Sequence, residues 1–152
     1  MSTIETHPIR ATETHDLRHR ILRSHEPRSL RAHPSDTGPG ALHIGSFLNG
    51  QLIGIGSIVP EPRDNAPLPT SWRVRGMAVL ENMRGTGVGG KILQALIDHA
   101  SAQALPAEIW CHGRANVQGF YERFGFVQEG DLFDQPGTGP HVLLVKTLPP
   151  AG

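Results

Sequence analysis

Apolar and polar positions alternate along much of the chain, with a switch to helical spacing in two places. Residues 3–9 read as an edge strand, and Thr12 or Thr14 caps a helix reaching Ser24, with Leu17, Ile21 and Leu22 on one stripe. In residues 41–60 two apolar runs flank Asn49-Gly50, the turn signal of an antiparallel hairpin. Residues 71–80 read as a third long strand, and Gly76 within it marks a bulge or a close approach. The period then changes, because Val88, Ile92, Leu93, Leu96, Ile97 and Ala100 share one helical face. A strand at 108–111, a helix over 115–124 and strands at 126–129 and 141–148 follow. Proline-bearing loops occupy 26–40 and 61–69, and the acidic stretch 128–134 reads as a solvated loop. Hairpins mixed with separated helices predict an α+β domain: a twisted, mixed, mostly antiparallel sheet flanked by helices.

Composition narrows the class. The 152 residues suit a single domain spanning 1–152, and 18 Gly with 13 Pro stay below the share that marks disorder. Equal numbers of basic and acidic residues, 14 each, argue against a protein built to neutralise a nucleic-acid backbone. Twelve of the basic residues are Arg, which reads as genome composition. No apolar run approaches the ~20 residues that span a bilayer, so no membrane partner is expected. Cys111 is the single cysteine, and the first residues lack a signal-peptide pattern; both point to the cytoplasm. Cys111 and His112 are consecutive strand residues on opposite faces and do not form a nucleophile pair. His15 and His19 sit at i, i+4, but no third ligand falls on that face, so no metal is expected.

The richest segment is Arg84-Gly85-Thr86-Gly87-Val88-Gly89-Gly90-Lys91, between a strand and the amphipathic helix. Backbone N–H groups at a helix start are unpaired and the dipole there favours negative charge, so such a turn can hold a phosphate. Gly85, Gly87 and Gly90 satisfy G-x-G-x-x-G, but a hairpin precedes the turn where a dinucleotide site needs a parallel βαβ unit. Gly85 to Lys91 also fits the opening of a P-loop, yet Ile92 stands where a hydroxyl must ligate magnesium. A third pattern is Arg84-x-x-Gly87-x-Gly89. Together with Met77-Ala78-Val79 before it, Trp110-Cys111-His112-Gly113-Arg114, Gly119-Phe120-Tyr121-Glu122-Arg123-Phe124-Gly125-Phe126 and Gly139-Pro140-His141-Val142, it resembles the GNAT superfamily of N-acetyltransferases over residues 41–148.

That resemblance implies acetyl-CoA as co-substrate, no metal, and an amine acceptor on a small molecule or peptide. It leaves homodimerisation open. The backbone of Met77, Ala78 and Val79 would pair with the pantetheine arm, and Arg84, Gly85, Thr86, Gly87, Val88, Gly89 and Gly90 would hold the pyrophosphate. Asn116, Phe120 and Arg123 are further cofactor contacts, or else simply cap, pack and solvate their helix. Tyr121 is the expected proton donor to the departing thiolate, a packed core tyrosine being the competing reading. For the base, relatives with a strand glutamate align it with Arg73, which cannot accept a proton. His112, His43 and His141 are the remaining candidates, His112 first. Arg73 and Arg75 alternate onto one strand face, where they recognise an acceptor carboxylate or are merely solvated. Arg114 stands where many relatives carry an Asn. A non-catalytic acyl-CoA-binding module of the same fold is the alternative that the unassigned base keeps open.

Overall fold

A computed structural model describes residues 3–22, 34–63 and 70–150. Seven strands form one sheet in the order β1-β2-β3-β4-β5-β7-β6. They are β1 (Ile4–Ile9), β2 (Leu42–Leu48), β3 (Gln51–Pro60), β4 (Ser71–Val79), β5 (Ala107–Arg114), β6 (Val127–Gln135) and β7 (Gly139–Leu148). Only the β4–β5 pair is parallel; all the other neighbours are antiparallel. The α+β expectation with a mixed, mostly antiparallel sheet therefore holds. Asn49 (φ 52°) and Gly50 (φ 81°) turn β2 into β3, the double positive φ that an Asn-Gly hairpin turn requires.

Among the described residues three α-helices flank the sheet: α1 (His15–Leu17), α2 (Val88–Ser101) and α3 (Gln118–Glu122). The six residues of the predicted α2 stripe, Val88, Ile92, Leu93, Leu96, Ile97 and Ala100, are the six buried residues of that helix. They pack with Ile53, Ile55, Ile58, Val74 and Ala78 of β3 and β4 in the main core. Burying a side chain of this kind contributes about 1.5–3 kcal/mol.

Four segments differ from the expectation. The first helix is not one α-helix: a 3-10 turn (Ala11–Thr14), the single turn α1 and a π turn (Arg18–Leu22) follow one another. Its interior carries Arg18, only 2% exposed and paired with buried Asp36. Ser24, the expected end, lies outside the described residues, as do 26–33 and 64–69 of the two loops. The stretch 128–134 is not a loop but most of β6, the strand at one edge of the sheet, and its residues are exposed. The strand expected at 108–111 runs on to Arg114, and the helix expected over 115–124 shrinks to a 3-10 turn (Ala115–Val117) followed by α3.

Candidate active site

The site begins where two strands part. β4 and β5 pair only through Ser71–Glu108, Trp72–Ile109 and Arg73–Trp110. Beyond that point β4 keeps β3 on its far edge as far as Val79, and β5 keeps β7 as far as Arg114. Among the described residues the facing edges of 74–79 and 111–114 thus have no strand ladder between them, and an unpaired edge is a template for an extended ligand. In the same stretch Gly76 has φ +65°, and the β3–β4 register shifts between Ile55 and Ser57. The predicted bulge is there. Met77, Ala78 and Val79 follow it along the free edge.

The glycine-rich turn leads into the first turn of α2. Its N-cap is Gly87 (φ +87°), with no side-chain cap bond, so the first N–H groups of the helix have no side-chain acceptor. Gly85 (φ +82°) and Gly87 have open space where a Cβ would stand. Arg84 and Lys91 are exposed on either side, and Thr86 turns its hydroxyl to the Met83 carbonyl. Val88 is buried, so only its backbone can face a ligand. Gly89 and Gly90 have another explanation: Phe120 lies 3.5 Å from a Cβ placed at Gly89, and Phe124 lies 3.3 Å from one at Gly90. They let α3 close on α2. Phe120 therefore helps to fix the two helices, while Asn116 and Arg123 are exposed beside them.

Tyr121 and His112 stand on opposite faces of β5. Tyr121 is 6% exposed, packs edge-on to Phe120 and Phe126, and lies over Gly113. No protein group bonds its hydroxyl among the described residues, and that oxygen is not one of the sealed, partnerless polar atoms. Burial, and secondarily Cys111, push its pKa well above the usual phenol value. Cys111 is buried on the same side, its thiol pushed up to about 12 by burial, and is inert as a nucleophile. His112 is exposed on the other face, with Trp110 and Phe133 edge-on at 5.2 and 5.1 Å. Burial of its inner edge lowers its pKa; Arg73 and His141 lower it further, and Glu61 opposes them. Of the other candidate bases, His43 is enclosed, bonded to Ser57 and the Asp36 carbonyl, and His141 is 4% exposed and bonded to the Gly139 carbonyl.

Residues 9–126 match the acetyltransferase (GNAT) family. The chain belongs to that family. It is 34% identical over 145 residues to YitI of Bacillus subtilis strain 168, an uncharacterised N-acetyltransferase, covering 95% of this chain and 97% of that protein. Its fold is similar to that of Escherichia coli ElaA (TM-score 0.76, 19% identity, 95% and 99% of the two chains covered). It is also similar to an aminoglycoside 6'-N-acetyltransferase solved with coenzyme A (TM-score 0.74, 12% identity, 97% and 99% covered). The protein is an N-acetyltransferase of the GNAT class, whose members use an acyl-CoA donor and an amine acceptor.

Within this GNAT frame the structure adds residues that the sequence reading passed over. Arg73 and Arg75 are neither free nor merely solvated: both bind the carboxylate of Glu61, at 2.8 and 2.6 Å. Glu61 also accepts a hydrogen bond on its carbonyl from Trp110 Nε1, and the Arg73 guanidinium lies 4.7 Å over the Trp110 ring. Arg63 makes a two-pronged bond to Glu108, which is 1% exposed and also accepts the Ser71 hydroxyl. One signal was available for Glu61. Two arginines on one face of an otherwise apolar strand need an acid, and Glu61 immediately follows β3, the strand paired with them. Glu61, Pro62, Arg63, Trp110, His112 and Leu143 line a cleft of about 270 Å³ on this face. Among the described residues no cluster of three His, Cys, Asp or Glu could hold a metal, and no helix is long and apolar enough to cross a membrane.

Proposed function

We propose that this protein transfers an acetyl group from acetyl-CoA to a primary amine of a small molecule or peptide, by direct attack in a ternary complex. The observation that carries the reading is the free β4 edge, continuous through Leu80 and the glycine turn with the uncapped start of α2. These features fit a donor with an extended arm and a pyrophosphate. The backbone of Met77, Ala78 and Val79 would hold the arm. The N–H groups of residues 85–90 would hold the anion, with Arg84 and Lys91 adding charge. The bound donor supplies a thioester carbon open to attack by an amine.

Three steps fall to the chain's own residues. His112, kept neutral by its surroundings, takes the proton of the attacking amine from the open face of β5. Tyr121, kept protonated by burial, gives its phenolic proton to the departing sulfur from the other face. A backbone N–H of the Gly76 bulge region steadies the developing oxyanion. The cytoplasm, where a lone reduced cysteine is ordinary, is the compartment in which we place this reaction.

The test is an amine panel with free-thiol detection, run on the wild type and on Tyr121→Phe. Amine-dependent thiol release is expected, together with a loss of turnover by about 100-fold or more in Tyr121→Phe at little changed CoA affinity. Unchanged turnover removes the acid role. CoA binding with no thiol release from any amine would favour a non-catalytic module.

A further inference from the structure

The charges around the cleft below His112 are unevenly paired. Arg73 and Arg75, two residues apart on one face of β4, share the single carboxylate of Glu61. Arg73 uses Nη1 and Arg75 uses Nη2 for that bond, and Arg75 Nη2 also donates to the Ser35 hydroxyl. Their Nε atoms are sealed and partnerless, whereas Nη2 of Arg73 and Nη1 of Arg75 lack partners among the described residues without being sealed. Of the other acids nearby, Glu108 and Glu129 bind Arg63, and Asp36, whose charge also reaches Arg75, binds Arg18. Two guanidiniums therefore meet one carboxylate, that of the cleft-lining Glu61, each with an unused donor group. A guanidinium presents paired N–H groups that match a carboxylate.

The field agrees with the count. Arg73 disfavours the charged form of His112 more than Glu61 restores it, and Arg75 is itself held down by burial and then by Arg73. An ammonium would be repelled there and an anion attracted. About 270 Å³ lies just below the range of drug-sized ligand pockets, room for a molecule the size of an amino acid. Along β4, Arg75 precedes Met77 by two residues, with the Gly76 bulge between them. An anion held by the two arginines would thus place a group a few bonds away beside the free edge.

We infer that the acceptor is a small amino-carboxylate, its carboxylate held by Arg73 and Arg75 and its amine presented between His112 and the free edge of β4. The inference rests on the proposed acetyl transfer for the role of the amine, but not for binding of the carboxylate. Pro62, Trp110 and Leu143 supply an apolar wall for the acceptor's body. Glu61 spaces the two guanidiniums and limits their excess to a single positive charge.

The experiment compares L-amino acids, β-alanine and γ-aminobutyrate with their carboxamides, in two arms. The first measures thiol release with acetyl-CoA; the second measures calorimetric binding to the CoA-saturated protein. At least one acid should exceed its amide by about tenfold or more in kcat/KM and in affinity. Arg73→Met, which keeps a side chain over Trp110, should erase that difference, and Glu61→Gln should widen it by freeing a second positive charge. The opposite signs separate a charge effect from misfolding. Acids and amides that bind alike, or a difference indifferent to both substitutions, would overturn the inference. Carboxylate-dependent binding without any thiol release would sustain it while removing the acetyl-transfer reading.

Discussion

His112 is disfavoured as an imidazolium first by burial and next by Arg73, so its neutral form persists to lower pH than that of a free histidine. A base acts in its deprotonated form, and the acidic limb of kcat/KM reports that ionisation in the free enzyme. The limb should therefore lie below the ordinary histidine value of about 6.5. Arg73→Met removes the leading charge and should move the limb upward, and His112→Gln should remove it; rates from about pH 5 to 9 give the answer. A limb unmoved by either change would assign the base to another group. Tyr121 is displaced in the opposite direction and stays protonated throughout that range, so it contributes no alkaline limb there. That these two side chains are able to give or take a proton was legible in the sequence, because residue type alone sets it. Their surroundings were not. The Glu61 carboxylate reaches Arg73 and Arg75 across 12 and 14 residues, and nothing in local spacing encodes that meeting.

The β4 bulge is an element whose geometry can be tested directly. At Gly76 the backbone has φ +65°, and an added Cβ would lie 2.9 Å from Arg18 Nε. A left-handed residue with a side chain costs about 1–2 kcal/mol, before any displacement of Arg18. Gly76→Ala should thus lower unfolding stability by about 1–3 kcal/mol in urea titration. Gly119→Ala is the control: that glycine is in α3 with nothing near a Cβ, and alanine there should be neutral or stabilising. Equal effects at the two positions would show that the bulge relaxes freely. Elements set by local chemistry were readable in advance: the β2–β3 hairpin from Asn49-Gly50, and α2 from a stripe whose six residues are its buried ones. β6 was readable only at its start, residues 127–129. Both of its faces are exposed and its pairing is irregular between Glu129 and Phe133, so it shows no alternation to recognise. The first helical segment misled for a different reason, since Arg18 turns inward to a carboxylate 18 residues away.

Across the whole molecule, one polar cluster joins the layer before β2 to the sheet. Arg18 donates through Nη1 and Nη2 to Asp36 at 2.7 and 3.2 Å, and through Nη2 to the Ser57 hydroxyl at 3.0 Å. His43 Nε2 faces the Asp36 carbonyl, which can only accept, so that nitrogen carries a proton, while Nδ1 and the Ser57 hydroxyl share a hydrogen bond of 2.6 Å. Arg18, Asp36, His43 and Ser57 are each 5% exposed or less. A pair so buried is costly to desolvate, so it specifies an arrangement more than it adds stability, and its worth appears when one partner is lost. Here the arrangement fixed is the docking of the 3-10 turn (Pro34–Thr37) and the π turn against the Gly76 bulge, beside the free edge of β4. Asp36→Asn removes the carboxylate that Arg18 meets through two buried bonds and should cost about 3–5 kcal/mol, a large share of the ~5–15 kcal/mol that holds a domain together. The paired change Arg18→Met with Asp36→Leu removes both charges and should cost less than Asp36→Asn alone, despite altering more atoms. Turnover should follow the opposite order. The double variant regains stability without restoring the guanidinium that backs the bulge, so its kcat should fall while CoA affinity is kept. A double variant with wild-type kcat would show that the bulge holds its shape without Arg18.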